Sequence, residues 1–148
     1  MVKRDTRFWT LVIASSLLPD ADVIGFAFGI EYGDLFGHRG LSHSLLFAAL
    51  WSLLVVSWGY RMVTKCSRQW WALLGLFFLV TASHGVLDAM TDGGLGVAFF
   101  SPFDTRRYFL PWWPIQVSPI GVGGFFSERG AATLLNELFY VWFGSAQC

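Results

Sequence analysis

Residues 41–60 contain no Asp, Glu, Lys or Arg, and an uncharged run of roughly 20 residues is long enough to cross a bilayer as a helix. A segment committed to hydrocarbon must satisfy its backbone hydrogen bonds internally, which favours a helical bundle for the chain around it. The composition agrees, because 55% of the 148 residues are hydrophobic, 18% are aromatic and only 14% are charged, against about a quarter charged in soluble domains. The formal net charge is zero, so no global basic field argues for nucleic acid, and no direct nucleic-acid binding is expected. Length alone argues for one domain.

Basic residues orient the run. Arg61, Lys65 and Arg68 follow it directly, and the positive-inside rule puts their connection in the cytoplasm together with Lys3, Arg4 and Arg7 near the amino terminus. Residues 8–30 then read as a broken first helix, since Pro19 is expected to end the apolar stretch that begins at Phe8. The same stretch has the outline of a signal peptide, with Ala14 and Ser16 as a small-residue pair, but a first membrane helix accounts for it better. Residues 70–90 read as another membrane helix opening on Trp70-Trp71, a pair suited to the interface. Residues 91–130, with Pro102, Pro111, Pro114 and Pro119 among aromatics and arginines, read as an irregular interfacial loop, and residues 131–143 as a short terminal helix interrupted by Asn136 and Glu137. The expected class is all-α: a small membrane bundle of three to four helices. Cys66 and Cys148 form no CxxC and read as free thiols.

Chemistry-bearing residues gather at the ends of these segments. Asp20 and Asp22 stand between two apolar runs, where a carboxylate is costly unless paired, hydrated or metal-bound; the plainer alternative is a polar loop just outside the bilayer. His38 and His43 are five apart, which is about 140° of divergence on an ideal helix, so a turn must bring them together. Gly40 can supply that turn, and Ser42 is a good N-cap for a helix starting at His43. His84 and Asp88, four apart, project from one helix face. Two antiparallel crossings would bring that pair to the membrane side of His38 and His43. Asp92 follows as a supporting group or a loop carboxylate, while Arg106 and Arg107 suit either a phosphate or a lipid anchor.

Asp20, Asp22, His38, His43, His84 and Asp88 thus form a candidate ligand set of imidazoles and carboxylates. That set suits one or two transition-metal ions, zinc first, with manganese or iron as alternatives, rather than calcium. Such a site generates hydroxide near neutral pH and stabilises phosphoryl or acyl oxygens. No GxSxG nucleophile and no cysteine–histidine pairing supports covalent hydrolysis.

Leu18-Pro19-Asp20-Ala21-Asp22, His38-Arg39-Gly40-Leu41-Ser42-His43-Ser44, Ser83-His84-Gly85-Val86-Leu87-Asp88-Ala89-Met90-Thr91 and Ser101-Pro102-Phe103 with Arg106-Arg107-Tyr108 resemble, in order and spacing, the YdjM-like family of bacterial and archaeal inner-membrane proteins. The resemblance covers about residues 10–120. It implies a multi-pass helical protein of the cytoplasmic (inner) membrane, a metal-dependent hydrolase activity, and distant similarity to zinc-dependent phospholipase C and nuclease folds. The chain departs from the pattern where Val23 follows Asp22, a place where a histidine is common, and in having no histidine before His38.

The leading expectation is a membrane-bound metal-dependent hydrolase of a phosphoester such as a lipid headgroup. Its cluster would face outward, Arg39 would stabilise developing negative charge, and Asp92 or Asp104 would orient water or a ligand. Membrane lipids are the expected surroundings, and the sequence carries no signal for an oligomeric state. The competing class is a non-catalytic membrane protein whose cluster holds a structural metal or passes ions. A polar cluster without metal is a third.

Overall fold

The computed structural model describes residues 4–117 and Leu135. Among these the chain is all-helical, and the pairings Thr91–Ile115 and Val97–Tyr108 are isolated bridges rather than strands. Residues 118–130 of the interfacial segment, with Pro119, and the terminal stretch 131–143, with Asn136 and Glu137, lie outside the described residues apart from Leu135, as does Cys148.

Helix α1 runs Thr6–Leu17 and is capped by Asp5, whose carboxylate accepts the Phe8 N–H at 3.0 Å. Pro19 does not open a gap. The chain passes straight into a 3₁₀ helix, Leu18–Phe28, with Pro19 in its first turn, where the missing N–H forfeits nothing. The interruption expected there is a change of pitch. Gly29 ends the segment in the left-handed region at φ 78°, and its N–H returns to the carbonyls of Gly25 and Phe26.

Helix α2 spans Leu45–Leu54 and widens into a π turn over Val55–Gly59. Its cap corrects the sequence expectation: Ser44, not Ser42, accepts the Phe47 N–H, at 3.1 Å, and His43 closes a separate 3₁₀ turn, Leu41–His43. The reason is that the Ser42 hydroxyl is already committed to Asp22, at 2.5 Å. Helix α3 covers Arg68–Asp88 in 21 residues and is capped by Ser67, which accepts the Trp70 N–H at 3.2 Å.

Thr6–Phe28 and Arg68–Asp88 are each long and apolar enough to cross a membrane, with mean hydropathy 1.6. Only 11% and 28% of their apolar windows are buried, whereas the core helix of a soluble protein would be mostly covered. Trp9, Ile13, Leu17, Leu54, Trp58, Trp71 and Leu79 point outward instead, the arrangement expected where lipid rather than water is the solvent.

Helix α3 packs against both α1 and α2. Val55, Val56, Trp70, Leu73 and Phe77 form the core, flanked by Leu11, Val12, Trp51 and Tyr60. Trp51 Nε1 donates to Ser15 Oγ at 3.0 Å, tying α2 to α1 without leaving the indole N–H unsatisfied. The Arg7 guanidinium donates to the Gly59 carbonyl and lies 5.8 Å from the Tyr60 ring. Start of α1, end of α2 and start of α3 therefore share one end of the bundle, which carries Arg4, Arg7, Arg61, Lys65 and Arg68. The opposite end carries the histidines and aspartates singled out above.

The stretch after α3 is stitched onto that second end by its backbone. Leu45 N–H donates to Phe99 O at 2.9 Å, Ala98 N–H to Arg39 O at 3.0 Å, and Leu110 N–H to Ala89 O at 2.8 Å. Arg107 completes the seam, donating to the carbonyls of His38 (2.9 Å), Tyr32 (3.0 Å) and Asp34 (3.2 Å) with its guanidinium over the Tyr32 ring. All three of these bonds go to main chain, so Arg107 is a clamp between two loops. Arg106 is exposed and pairs with Asp104 at 3.0 Å.

Candidate metal centre

Three segments deliver side chains to one point. Asp20 comes from the first turn of the 3₁₀ helix, His43 from the turn before α2, and His84 with Asp88 from consecutive turns at the end of α3. His43 Nε2 lies 3.0 Å from Asp88 Oδ2 and 3.6 Å from Asp20 Oδ1, and His84 Nε2 lies 3.2 Å from Asp20 Oδ1 and 3.7 Å from Asp88 Oδ2. Ligands about 2.0–2.1 Å from one tetrahedral ion sit roughly 3.3 Å apart, and these four edges bracket that value. All four donor atoms lie within 4.8 Å of one another.

Close approach of the segments depends on α3 having no side chain at residue 85. A Cβ on Gly85 would stand 3.0 Å from the His43 carbonyl oxygen, with Phe99 and Val97 close behind. The turn carrying His43 can therefore lie directly on the helix between His84 and Asp88.

Hydrogen bonding supplies the test of whether a cation fits. His43 Nε2, His84 Nε2 and Asp88 Oδ2 are buried and, beyond the contacts they make with one another and with Asp20, have no hydrogen-bond partner. Buried polar atoms are rarely left so, and each such atom costs about 1–3 kcal/mol unless something satisfies it. Two imidazole nitrogens and a carboxylate oxygen, all turned toward a fourth donor on Asp20, are a donor set that a divalent transition metal satisfies at once. The side chain of His43 is fully buried and that of Asp20 is 49% exposed, so the point is open on the Asp20 side.

Asp22 and His38 do not share this point. Asp22 Oδ1 meets His38 Nδ1 at 2.7 Å, while Asp22 Oδ2 takes the Ser42 hydroxyl, the Arg39 N–H at 3.2 Å and His43 Nδ1 at 3.2 Å. Its oxygens are fully engaged in holding two imidazoles and a turn. With Nδ1 of His43 facing a carboxylate, the proton belongs there and the lone pair of Nε2 is presented to the centre, as in the carboxylate–histidine pairs behind bound metals. Asp22, His38 and His43 also form a second group of donors within 4.8 Å, though one whose carboxylate is already fully hydrogen-bonded.

Arg39 holds the other side. It is 3% exposed, and it donates to Asp88 Oδ1 at 3.1 Å, to Thr91 Oγ1 at 2.9 Å, and to the carbonyls of Gly93 (3.0 Å) and Asp88 (3.3 Å). Asp88 is thereby oriented with Oδ1 on the guanidinium and Oδ2 on the centre. The turn itself differs from the sequence expectation. Arg39, not Gly40, adopts the left-handed conformation, at φ 61°, and Gly40 is needed for space, since a Cβ there would overlap the carbonyl oxygens of Leu35 and Gly37.

Asp92 and Asp104 serve the loop. Asp92 Oδ1 accepts the Val117 N–H at 2.8 Å. Asp104 accepts from the Arg106 N–H and the Tyr108 hydroxyl, and the Arg106 backbone N–H foremost holds its carboxyl below the usual carboxylate range. Among the described residues neither bonds to the four converging groups. Burial pushes the Tyr32 phenol above, and the Arg107 guanidinium below, their ordinary values. Gly85 and Thr91 emerge as supporting residues to which the sequence assigned no role, and Ser42 and Arg107 take supporting roles other than the cap and the phosphate or lipid contact expected of them; the unusual position of Gly85, between a histidine and an aspartate of one helix face, was the available signal.

A family model described as "YdjM inner membrane protein" matches residues 2–147. Over 130 residues the chain is 40% identical to "Inner membrane protein YbcI" of Escherichia coli (strain K12), an alignment covering 88% of this chain and 73% of that protein. No solved structure matches the chain.

Proposed function

The chain belongs to the YdjM inner membrane protein family, and from that footing we propose that it is a membrane-bound, metal-dependent hydrolase acting on a phosphoester. The observation that carries this reading is the set of three buried donor atoms, on His43, His84 and Asp88, that face one another and the half-exposed Asp20 and have no other hydrogen-bond partner. Asp20, His43, His84 and Asp88 would hold the ion, with zinc favoured by two imidazoles at tetrahedral spacing and manganese or iron as alternatives. When bound, such an ion lowers the pKa of water and neutralises charge developing on phosphoryl oxygens.

The protein's own groups do the positioning. Asp22 fixes the His43 ring, His38 and Ser42 fix Asp22, and Arg39 turns the Asp88 carboxylate so that one oxygen is free. Arg39 therefore acts through Asp88 instead of meeting the reacting oxygens itself. Asp20, alone of the four half-exposed, marks the side on which substrate arrives. The basic residues at the opposite end of the bundle support a multi-pass topology with the cluster on the outer side of the membrane.

A second reading has its own support. Four protein ligands with none to spare is the pattern of structural zinc sites, and an ion here would staple three segments together. Metal analysis of detergent-purified protein tests both. One or two equivalents of transition metal in the parent, and none in the His43→Ala, His84→Ala double variant, is expected; a parent without stoichiometric metal at neutral pH refutes both. Hydrolysis of bis(p-nitrophenyl) phosphate by the metal-loaded parent, lost in Asp20→Ala, separates enzyme from staple.

A further inference from the structure

The half-exposed side of the cluster has an unusual neighbourhood. In a 3₁₀ helix, side chains three apart eclipse one another, so Asp20 and Val23 share one stripe, and Leu17 stands one turn before Asp20 at the end of α1. Leu17 is 61% and Val23 37% exposed, and Ile24 beside them is 62% exposed. Across the opening on α3, Leu87 is exposed beside His84. The one accessible carboxylate of the cluster is thus framed by outward-facing aliphatic side chains on both helices.

Depth along the span says what covers that frame. Twelve α-helical residues from Thr6 and three of 3₁₀ pitch put Asp20 about 24 Å along a hydrocarbon layer about 30 Å thick. Aqueous access would predict polar side chains around the opening, whereas the frame is continuous with the apolar surfaces of two segments able to span a membrane. An ionisable group inside such a surface marks a functional opening, and the buried donors of His43, His84 and Asp88 lie just behind it.

We infer that the cluster opens sideways into the bilayer, between the 3₁₀ segment and α3, and that its substrate is a membrane-resident phospholipid presented by its headgroup. The acyl chains stay in lipid against Leu17, Val23 and Leu87 while the phosphate reaches the centre near Asp20. This rests on the hydrolase reading for its chemistry, but the direction of the opening does not.

Two measurements on the full chain separate them. With Cys66 and Cys148 replaced by Ser, nitroxide labels at Leu17→Cys and Val23→Cys are compared with one at Glu31→Cys, in phosphatidylcholine–phosphatidylglycerol vesicles. The expected result is that molecular oxygen relaxes the first two labels several-fold more than a water-soluble nickel chelate does, with the reverse at residue 31. Nickel accessibility at residues 17 and 23 equal to that at 31 overturns the lateral opening whatever the cluster binds. In the second arm, cobalt-loaded protein is titrated with hexadecylphosphonate in vesicles and with methylphosphonate in water. The visible spectrum is expected to respond at a concentration at least about 10-fold lower for the long-chain probe, because its chain is already partitioned beside the opening. Equal response overturns the lipid assignment, and failure to take up cobalt overturns the metal reading on which that assignment rests, leaving the label data to decide the opening alone.

Discussion

Replacing Asp22 by Asn separates a ligand from a residue that only aims one. The carboxylate sits behind His43, 3.2 Å from Nδ1, and is simultaneously held by His38, Ser42 and the Arg39 N–H. An amide keeps the size and one acceptor oxygen but removes the charge that fixes the proton on Nδ1. Loss of such an outer partner weakens metal binding by about 10–100-fold, equivalent to roughly 1.4–2.7 kcal/mol. At a free metal concentration of 100 times the parent Kd, binding stabilises the folded parent by about 2.7 kcal/mol; the same concentration stabilises the variant by only about 1.4 to 0.4 kcal/mol. Chelator competition gives the affinities, and unfolding in mixed micelles with and without metal gives the stabilities. Asp20→Asn, which alters a group facing the centre directly, is expected to lose more than Asp22→Asn in both. Metal binding abolished by Asp22→Asn would make Asp22 a ligand, and binding unchanged would leave it with no part in aiming His43; either refutes the reasoning.

Arg39→Met removes a buried guanidinium from a mostly buried carboxylate, the last carbonyl of α3 and the Gly93 carbonyl, and is expected to destabilise the protein by about 3–5 kcal/mol. Arg39→Lys, which keeps charge without the fork, should recover only part of that in the same unfolding assay. Two glycines of α3 form an internal control. Gly75→Ala meets nothing within 4 Å and is expected to gain up to about 1 kcal/mol, whereas Gly85→Ala, pressing on the His43 carbonyl, is expected to lose about 0–2 kcal/mol net and to weaken metal binding; equal effects of the two would contradict the close approach. Phe77→Ala opens the core at the basic end and should cost about 3–5 kcal/mol while metal stoichiometry in the folded fraction stays at the parent value, measured by elemental analysis.

Much of the arrangement was legible because it depends on periodicity. The four-residue spacing of His84 and Asp88 and the alternation of basic and His/Asp-bearing ends follow from counting along helices, whereas the uncharged run 41–60, expected to span the membrane as one helix, is helical only over Leu45–Gly59 and is shorter than the two spanning segments, because Leu41–His43 is spent on the turn that delivers His43. The division of labour between Asp20 and Asp22 was also within reach. Two residues apart, they point to different sides of any helix, so one proline-linked turn could not aim both at one centre. Other features depend on non-local competition for a group. Ser42 looks like a cap until Asp22, 20 residues earlier, takes its hydroxyl. Arg39 resembles an anion-binding guanidinium until the chain beyond Asp88 folds back and takes up its terminal nitrogens. The left-handed conformation of Arg39 beside a glycine inverts the usual expectation, because crowding by Leu35 and Gly37, invisible in local sequence, decides which residue must lack a side chain.

That the centre draws on three segments also sets an order of events during biosynthesis. Asp20 and His43 leave the ribosome well before His84 and Asp88, and at about 5–20 residues per second the intervening stretch takes roughly 2–8 s to make. Over that interval a carboxylate and an imidazole await their partners in a half-inserted chain. The pair is complete only when the last helix arrives to close the ring.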